Sequence, residues 1–324
     1  MTTTAGLAHA DTGAARAVAL RVLGVLGVAA VAAVATALWL PQFYTATNLN
    51  SLLLQASILG IVTLGQALVL LVAGLDLSVA AVMSASLVVV ASLSGEGLGG
   101  IAVAVLAAVL LGLGVGTLNG VLVAYRGVAP FIVTLGTAAL VSGLQLVYTR
   151  GAPPGAIPER MRGLTQDGIG VVPWSAVLCV ALAVALHVGL RRGTYGRRVY
   201  ATGTSLGVAR RAGVRTDLLL VGIYALCGGL AALAGVVLSS YVGYVDGAAG
   251  KGYDLDSVAA AVIGGVAFTG GKGGVLGAAL GALALTVVLN VLVLSGIGSH
   301  VQLIARGAII VVALAFIAHR AIKK

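Results

Sequence analysis

Apolar stretches of roughly 15–25 residues follow one another along most of this 324-residue chain, separated by short polar or glycine-bearing breaks. A bilayer core about 30 Å thick is crossed by about 20 apolar residues in helical form, and only helices or closed barrels satisfy their backbone there. The pattern predicts about ten helical spans: 18–40, 52–73, 77–93, 98–124, 129–147, 173–190, 218–242, 257–268, 274–294 and 301–318. The third and eighth are short, as expected of broken or half-buried segments. The last is set off from the ninth by the uncharged break Ser295-Gly296-Ile297-Gly298-Ser299. Arg16 and Arg21 precede the first run, but no small-residue cleavage site leads into a polar mature domain. That run therefore reads as a retained anchor.

Composition narrows the class. Hydrophobic residues make up 60% and charged residues 9% of the chain, and the mean hydropathy is +1.13. Soluble domains carry about 45–50% apolar and about 25% charged residues, so a soluble protein lacks the surface it would need here. The fold class is an all-α polytopic membrane protein with a short tail at 1–16, a transmembrane domain at 17–318 and a second tail at 319–324.

Charge then orients the spans. With the N-terminus inside, Arg16, Arg21, Arg126, Lys272, Arg320, Lys323 and Lys324 fall at the cytoplasmic side, as do Arg191, Arg192, Arg197, Arg198, Arg210, Arg211 and Arg215. Outside stand Arg150, Arg160, Arg162 and Lys251, with most of the acids: Glu96, Glu159, Asp167, Asp246, Asp254 and Asp256. This is the positive-inside bias, and it places both termini in the cytoplasm. The net charge of +10 comes largely from that asymmetry. It points to membrane lipid or an acidic cytoplasmic partner rather than to nucleic acid.

The two halves echo one another. Ser78-Val79-Ala80-Ala81 opens one short span and Ser257-Val258-Ala259-Ala260 another, each followed by a glycine-bearing break and a glycine-spaced helix. The first begins inside and the second outside, the relation expected of inverted repeats. Gly112, Gly116 and Gly120 share one helix face, and Gly273, Gly277 and Gly281 are expected to share another. Such faces are packing seams.

Polar residues within the spans are few. Gln66, Asn119, Thr134, Gln145 and Asn290 are candidates for a translocation pathway, with Ser142 and Thr286 nearby in type. Asp76 admits two readings. An acid in the bilayer can couple transport to a cation. Alternatively, Gly74 interrupts the helix and Asp76 or Ser78 accepts hydrogen bonds from the amides that open the next one, near the cytoplasmic edge. The latter reading is preferred because glycine precedes the acid. Cys179 and Cys227 read as small buried hydrophobes. Gly270-Gly271-Lys272-Gly273 lacks the spacing and the Ser or Thr of a phosphate loop. Neither an enzyme site, a metal site nor a cofactor is expected in this chain; any ATP and Mg would belong to another subunit.

The 191–217 loop is where such a subunit could attach. Thr204 or Ser205 can cap a short helix through Val208, Ala209, Arg210, Arg211 and Ala212, ended by Gly213. Val208, Ala209 and Ala212 would offer a small apolar face flanked by the two arginines. A partner groove or lipid phosphates could receive it.

Three segments carry a family resemblance: residues 48–80 around Gly74-Leu75-Asp76-Leu77-Ser78; residues 118–151 around Pro130-Phe131-Ile132-Val133-Thr134-Leu135-Gly136; and Thr194-Tyr195-Gly196-Arg197 through Gly213, continued at 261–265 and 273–277. Over about residues 45–318 the chain resembles the membrane permease subunits of bacterial ATP-binding-cassette importers of the ribose, xylose and galactose class. Ser205 departs from the family's usual Asn. The resemblance implies a partnership: a second permease chain, alike or unlike; two cytoplasmic ATP-binding subunits docked on the 204–213 coupling helix; and an extracytoplasmic sugar-binding protein. It implies import of a monosaccharide or similar neutral polyol across a bacterial inner membrane. Importers of nucleosides or autoinducer-like furanoses stand close by. Outside the class remain an ion-coupled carrier using Asp76, and a channel or scaffold. The Arg-rich loop and the lack of a ring-forming polar filter argue against a channel.

Overall fold

The computed structural model describes residues 40–95, 97–152, 156–244, 246–298, 300–304 and 307–308. The body of the expected first span, most of the expected last span with Arg306, Glu96, and both tails lie outside the described residues. Among the described residues, six helices are long and apolar enough to cross a membrane: α1 Ala46–Leu71, α3 Leu98–Arg126, α4 Pro130–Thr149, α6 Trp174–Arg192, α9 Thr216–Val242 and α11 Val275–Leu294. A shorter apolar helix is α2 Val79–Leu93, and α10 Tyr253–Ile263 is shorter still. At 1.5 Å per residue, the 11 residues of α10 reach about 16 Å and do not span a bilayer unaided.

The eighth expected span, 257–268, is therefore corrected. Its helix starts earlier, with Asp254 and Asp256 in the first turn, where acids complement the helix dipole. It ends at Gly264, and Gly265 turns left-handed at φ 88°. Residues 264–274 form a loop in which Gly270, Gly271 and Gly273 also have positive φ. Gly273 thus lies before α11 and shares no helix face with Gly277 and Gly281.

Smaller elements flank the apolar runs at the two ends of the bundle. One end of the bundle carries α5 Glu159–Gln166 and an antiparallel hairpin of β1 Gly168–Ile169 and β2 Val172–Pro173. Ser240 pins α5 to α9: its hydroxyl meets Thr165 and donates to the Met161 carbonyl, and its own carbonyl accepts from Gln166 Nε2 at 2.6 Å. The other end carries α7 Thr194–Thr204 and α8 Leu206–Arg211. The sequence reading expected only the second of these. Helix α7 buries Gly196, Val199, Thr202 and Gly203, one face at helical spacing, with Arg197 and Arg198 exposed beside it, the pattern of an amphipathic surface helix.

The core sits around α1 and α9, which are buried along most of their length, whereas α3, α4 and α6 expose most of theirs. Packing is reciprocal between the halves. Helix α9 of the second half packs chiefly on α3, α1 and α2, and α1 of the first half packs chiefly on α9, α11, α10 and α6. The α3–α9 crossing is close because of glycine: a Cβ at Gly116 would lie 2.1 Å from the Tyr224 carbonyl oxygen. Cross-links between helix ends sort the loops into two groups. Asn48 bonds Asn290, Asn50 bonds the Val171 carbonyl and Gln145 bonds the Gly247 carbonyl at one end. Leu71, Gly271, Tyr200 and Gly273 meet at the other.

Candidate functional site

The break between α1 and α2 gathers buried polar side chains in the core. Helix α1 unwinds through Ala73, which takes a left-handed φ of 60°, and the Gly74 N–H returns to the Val69 carbonyl at 2.9 Å. Tyr224 of α9 covers Gly74: a Cβ there would come within 2.5 Å of the Tyr224 hydroxyl. That hydroxyl faces the Leu75 carbonyl. Asp76 Oδ1 then accepts from the Ser78 N–H at 2.9 Å and from the Ser78 hydroxyl at 2.6 Å. Asn119 Nδ2, reaching across from α3, donates to Ser78 Oγ at 2.8 Å. All three side chains are buried, Asp76 and Asn119 at 0% exposure.

This geometry refines the expectation of a cap near the cytoplasmic edge. The Asp76 carboxylate folds back two residues onto Ser78, as in an Asx turn. Ser78 is the N-cap position of α2 but makes no side-chain bond to the helix amides. The trio lies inside the protein, with Cys227 and Tyr224 of α9 against the acid. Asp76 Oδ2 and Asn119 Oδ1 have no hydrogen-bond partner among the described residues.

The five pathway candidates do not converge on one cavity. Gln66 lies in the middle of α1 at 0% exposure, and neither amide atom finds a partner among the described residues; Thr63, one turn earlier, is in the same situation. Asn119 belongs to the break. Thr134 donates to the Pro130 carbonyl of its own helix. Asn290 and Asn48 exchange amide bonds at 3.0 and 3.2 Å. Gln145 donates to the Gly247 carbonyl at 3.0 Å. It also lines a cleft of about 240 Å³ with Val88, Ser142, Leu146, Thr149 and Gly247. Among the described residues, no three His, Cys, Asp or Glu side chains come together to hold a metal ion.

At the opposite end, Ser205 Oγ accepts from the Val208 N–H at the start of α8. Thr204 instead closes α7 by donating to the Tyr200 carbonyl. Gly213, at φ 80°, follows the last turn, where the Val214 N–H returns to the Ala209 carbonyl, a glycine-ended helix stop. The expected apolar face is redrawn. Ala209 turns inward at 2% exposure, whereas Leu206, Val208 and Ala212 remain outside. Arg210 also serves the chain's own fold. It is ion-paired to Asp217 and donates to the Thr216 hydroxyl at 2.9 Å, tying α8 to the start of α9. Arg211 stays exposed beside them.

Comparison with known proteins places these features in context. Residues 48–314 match the family described as the permease component of branched-chain amino acid transport systems. The chain is 35% identical to the ribose import permease protein of Escherichia coli over 284 residues, 85% of this chain and 86% of that one. It is 35% identical to the ribose import permease protein of Bacillus subtilis, over 85% of each chain. Identity to the autoinducer 2 import system permease protein of Escherichia coli is 34%, over 85% of this chain and 80% of that one. No solved structure matches the chain.

Proposed function

The chain belongs to the branched-chain amino acid transport system permease component family, and from that premise we propose that it forms part of the membrane pathway of an ATP-driven importer for a monosaccharide or similar neutral polyol. The observation that carries the reading is the 35% identity to ribose import permeases over 85% of the chain. The interior agrees with a neutral solute. Among the described residues, the buried charged side chains are the acids Asp76 and Asp256. Gln66, Thr63 and Asn119 instead leave amide and hydroxyl groups unpartnered, the chemistry that meets sugar hydroxyls. The similarity to the autoinducer 2 permease extends the solute class to furanose-like compounds.

The assembly follows from the same reading. A second permease chain completes the pathway, an extracytoplasmic binding protein delivers the solute, and two cytoplasmic subunits carry ATP and Mg. Helix α8 docks on one of those subunits through Leu206, Val208, Ala212 and Arg211. The chain crosses the inner membrane about ten times with both termini in the cytoplasm, and 71–78, 192–216 and 264–274 lie on the cytoplasmic side. Its halves are inverted repeats, a relation supported by the reciprocal packing of α1 and α9.

The test is uptake into vesicles holding the permease with its ATP-binding subunit and binding protein. Labelled D-ribose and a furanose analogue serve as probes. ATP-dependent entry that persists with a proton ionophore is the expected result. Entry without the ATP-binding subunit, driven by an ion gradient, would instead make the chain a carrier using Asp76.

A further inference from the structure

Three chain segments meet on a single carbonyl at the end of the molecule that carries α7 and α8. The Leu71 oxygen, at the end of α1, accepts the Gly271 N–H at 2.9 Å. Gly203, in the last turn of α7, is pressed onto the same group. A Cβ at Gly203 would stand 1.8 Å from the Leu71 oxygen and 2.6 Å from the Gly271 nitrogen. The contact is main chain against main chain on all three sides, so no flexible side chain cushions it. Around it, a Cβ on Gly271 would fall 2.4 Å from Thr204 Oγ1, and one on Gly270 would fall 2.9 Å from the Ala73 nitrogen. One turn back along α7, the Tyr200 hydroxyl donates to the Gly273 carbonyl at 2.9 Å.

What lies on either side gives the knot its meaning. Only Ser205 separates α7 from α8. Ala73, beside the knot, holds a left-handed φ of 60°, a conformation L-residues rarely adopt, and leads directly into Asp76 and Ser78. The 264–274 loop leads directly into α11. Packed backbone in contact moves as a unit or repacks in a discrete step; it does not deform smoothly.

We propose that α7, the end of α1 and the 264–274 loop form one rigid transmission body. Displacement of α8 by a partner subunit then shifts the α1–α2 break and the start of α11 together. Gly203 and Tyr200 are its positioning residues: neither touches solute or nucleotide, and each acts by keeping α7 seated on the two breaks. This inference rests on the reading of α8 as the docking helix.

The experiment locks the body. Thr204→Cys and Lys272→Cys, in a chain with Cys179 and Cys227 replaced by alanine, are joined by a short bifunctional thiol reagent in vesicles carrying the complete importer. Uptake is compared on the same protein before and after bridging. A unit that moves as one tolerates the bridge, so uptake stays within about twofold; a tenfold loss (about 1.4 kcal/mol) with subunits still assembled would mean that the contact opens each cycle, and would overturn the proposal. Tyr200→Phe removes a single hydroxyl. It should leave copurification of the ATP-binding subunit and unstimulated ATP hydrolysis as they are, while lowering uptake and the stimulation of hydrolysis by loaded binding protein. Unchanged stimulation and uptake in Tyr200→Phe would equally overturn the proposal. If the parent importer shows no ATP-driven uptake at all, it is the functional reading that fails.

Discussion

Asp76 shows how little a buried acid says about itself until its neighbours are known. Hydropathy separates lipid-loving from water-loving stretches, so Gly74-Leu75-Asp76-Leu77-Ser78 was legible as a break but not as a break enclosed by α3 and α9. The structure gives the acid a local job, accepting two bonds from Ser78. Asparagine can accept the same two through its amide oxygen. Asp76→Asn should therefore keep normal membrane levels and most uptake. Asp76→Leu strands a buried N–H and a buried hydroxyl at about 1–3 kcal/mol each, and should lower the amount of folded permease. Quantitative blotting of membranes beside uptake decides it: an Asn variant that is abundant but inactive would return Asp76 to the role of a cation site. Gln66 was visible in the sequence as a lone polar residue in an apolar run. That both of its amide atoms go unpartnered follows from its place inside the bundle, which no one-dimensional pattern reports.

Helices were legible in proportion to their apolar length. The expected 98–124 and 129–147 appear as Leu98–Arg126 and Pro130–Thr149, because a bilayer-length apolar run leaves the backbone no alternative to helix. The water-facing helices were harder. Helix α7 is polar, rich in arginine and interrupted by glycines, and only its buried face gives it away. In α8 the sequence offered Val208, Ala209 and Ala212 as one face, yet six residues make too few turns to fix which side faces inward. The structure separates them, and the separation can be measured. Ala209→Trp, overpacking a site with 2% exposure, costs about 1–3 kcal/mol and should reduce the permease itself. Ala212→Trp or Val208→Asp, both exposed, should leave the permease abundant while the ATP-binding subunit no longer copurifies. Equal copurification in all three would remove α8 from the interface.

For the whole molecule, the arginines and lysines of the loops predict the sidedness, and the cross-links between helix ends group the loops in the same way. Single cysteines at Thr204 and Ala321, in a background without native thiols, should resist an impermeant reagent applied to intact cells and react once the membrane is opened. Labelling of position 204 from outside would invert the topology and with it the docking argument. The echo between the halves in the sequence is faint. Ser78 stands at the N-cap of α2, whereas Ser257 lies inside α10 and bonds back to the Asp254 carbonyl. The matching four-residue strings therefore sit at different places in their helices, while α1 packs chiefly on helices of the second half and α9 chiefly on helices of the first.

This packing between the halves also bears on how the protein is made. Helix α1 leaves the ribosome with Thr63, Gln66 and soon Asp76 aboard, long before α9, α10 and α11 exist to surround them. A newly inserted first half thus presents amide, hydroxyl and carboxyl groups where its final neighbours have not yet been translated. Until the second half arrives, those groups face lipid or the insertion machinery, where an unpaired polar group is costly. A chain whose synthesis stops after α6 lacks α9, α10 and α11, three of the helices on which α1 chiefly packs, and is expected to accumulate to lower membrane levels than the full chain.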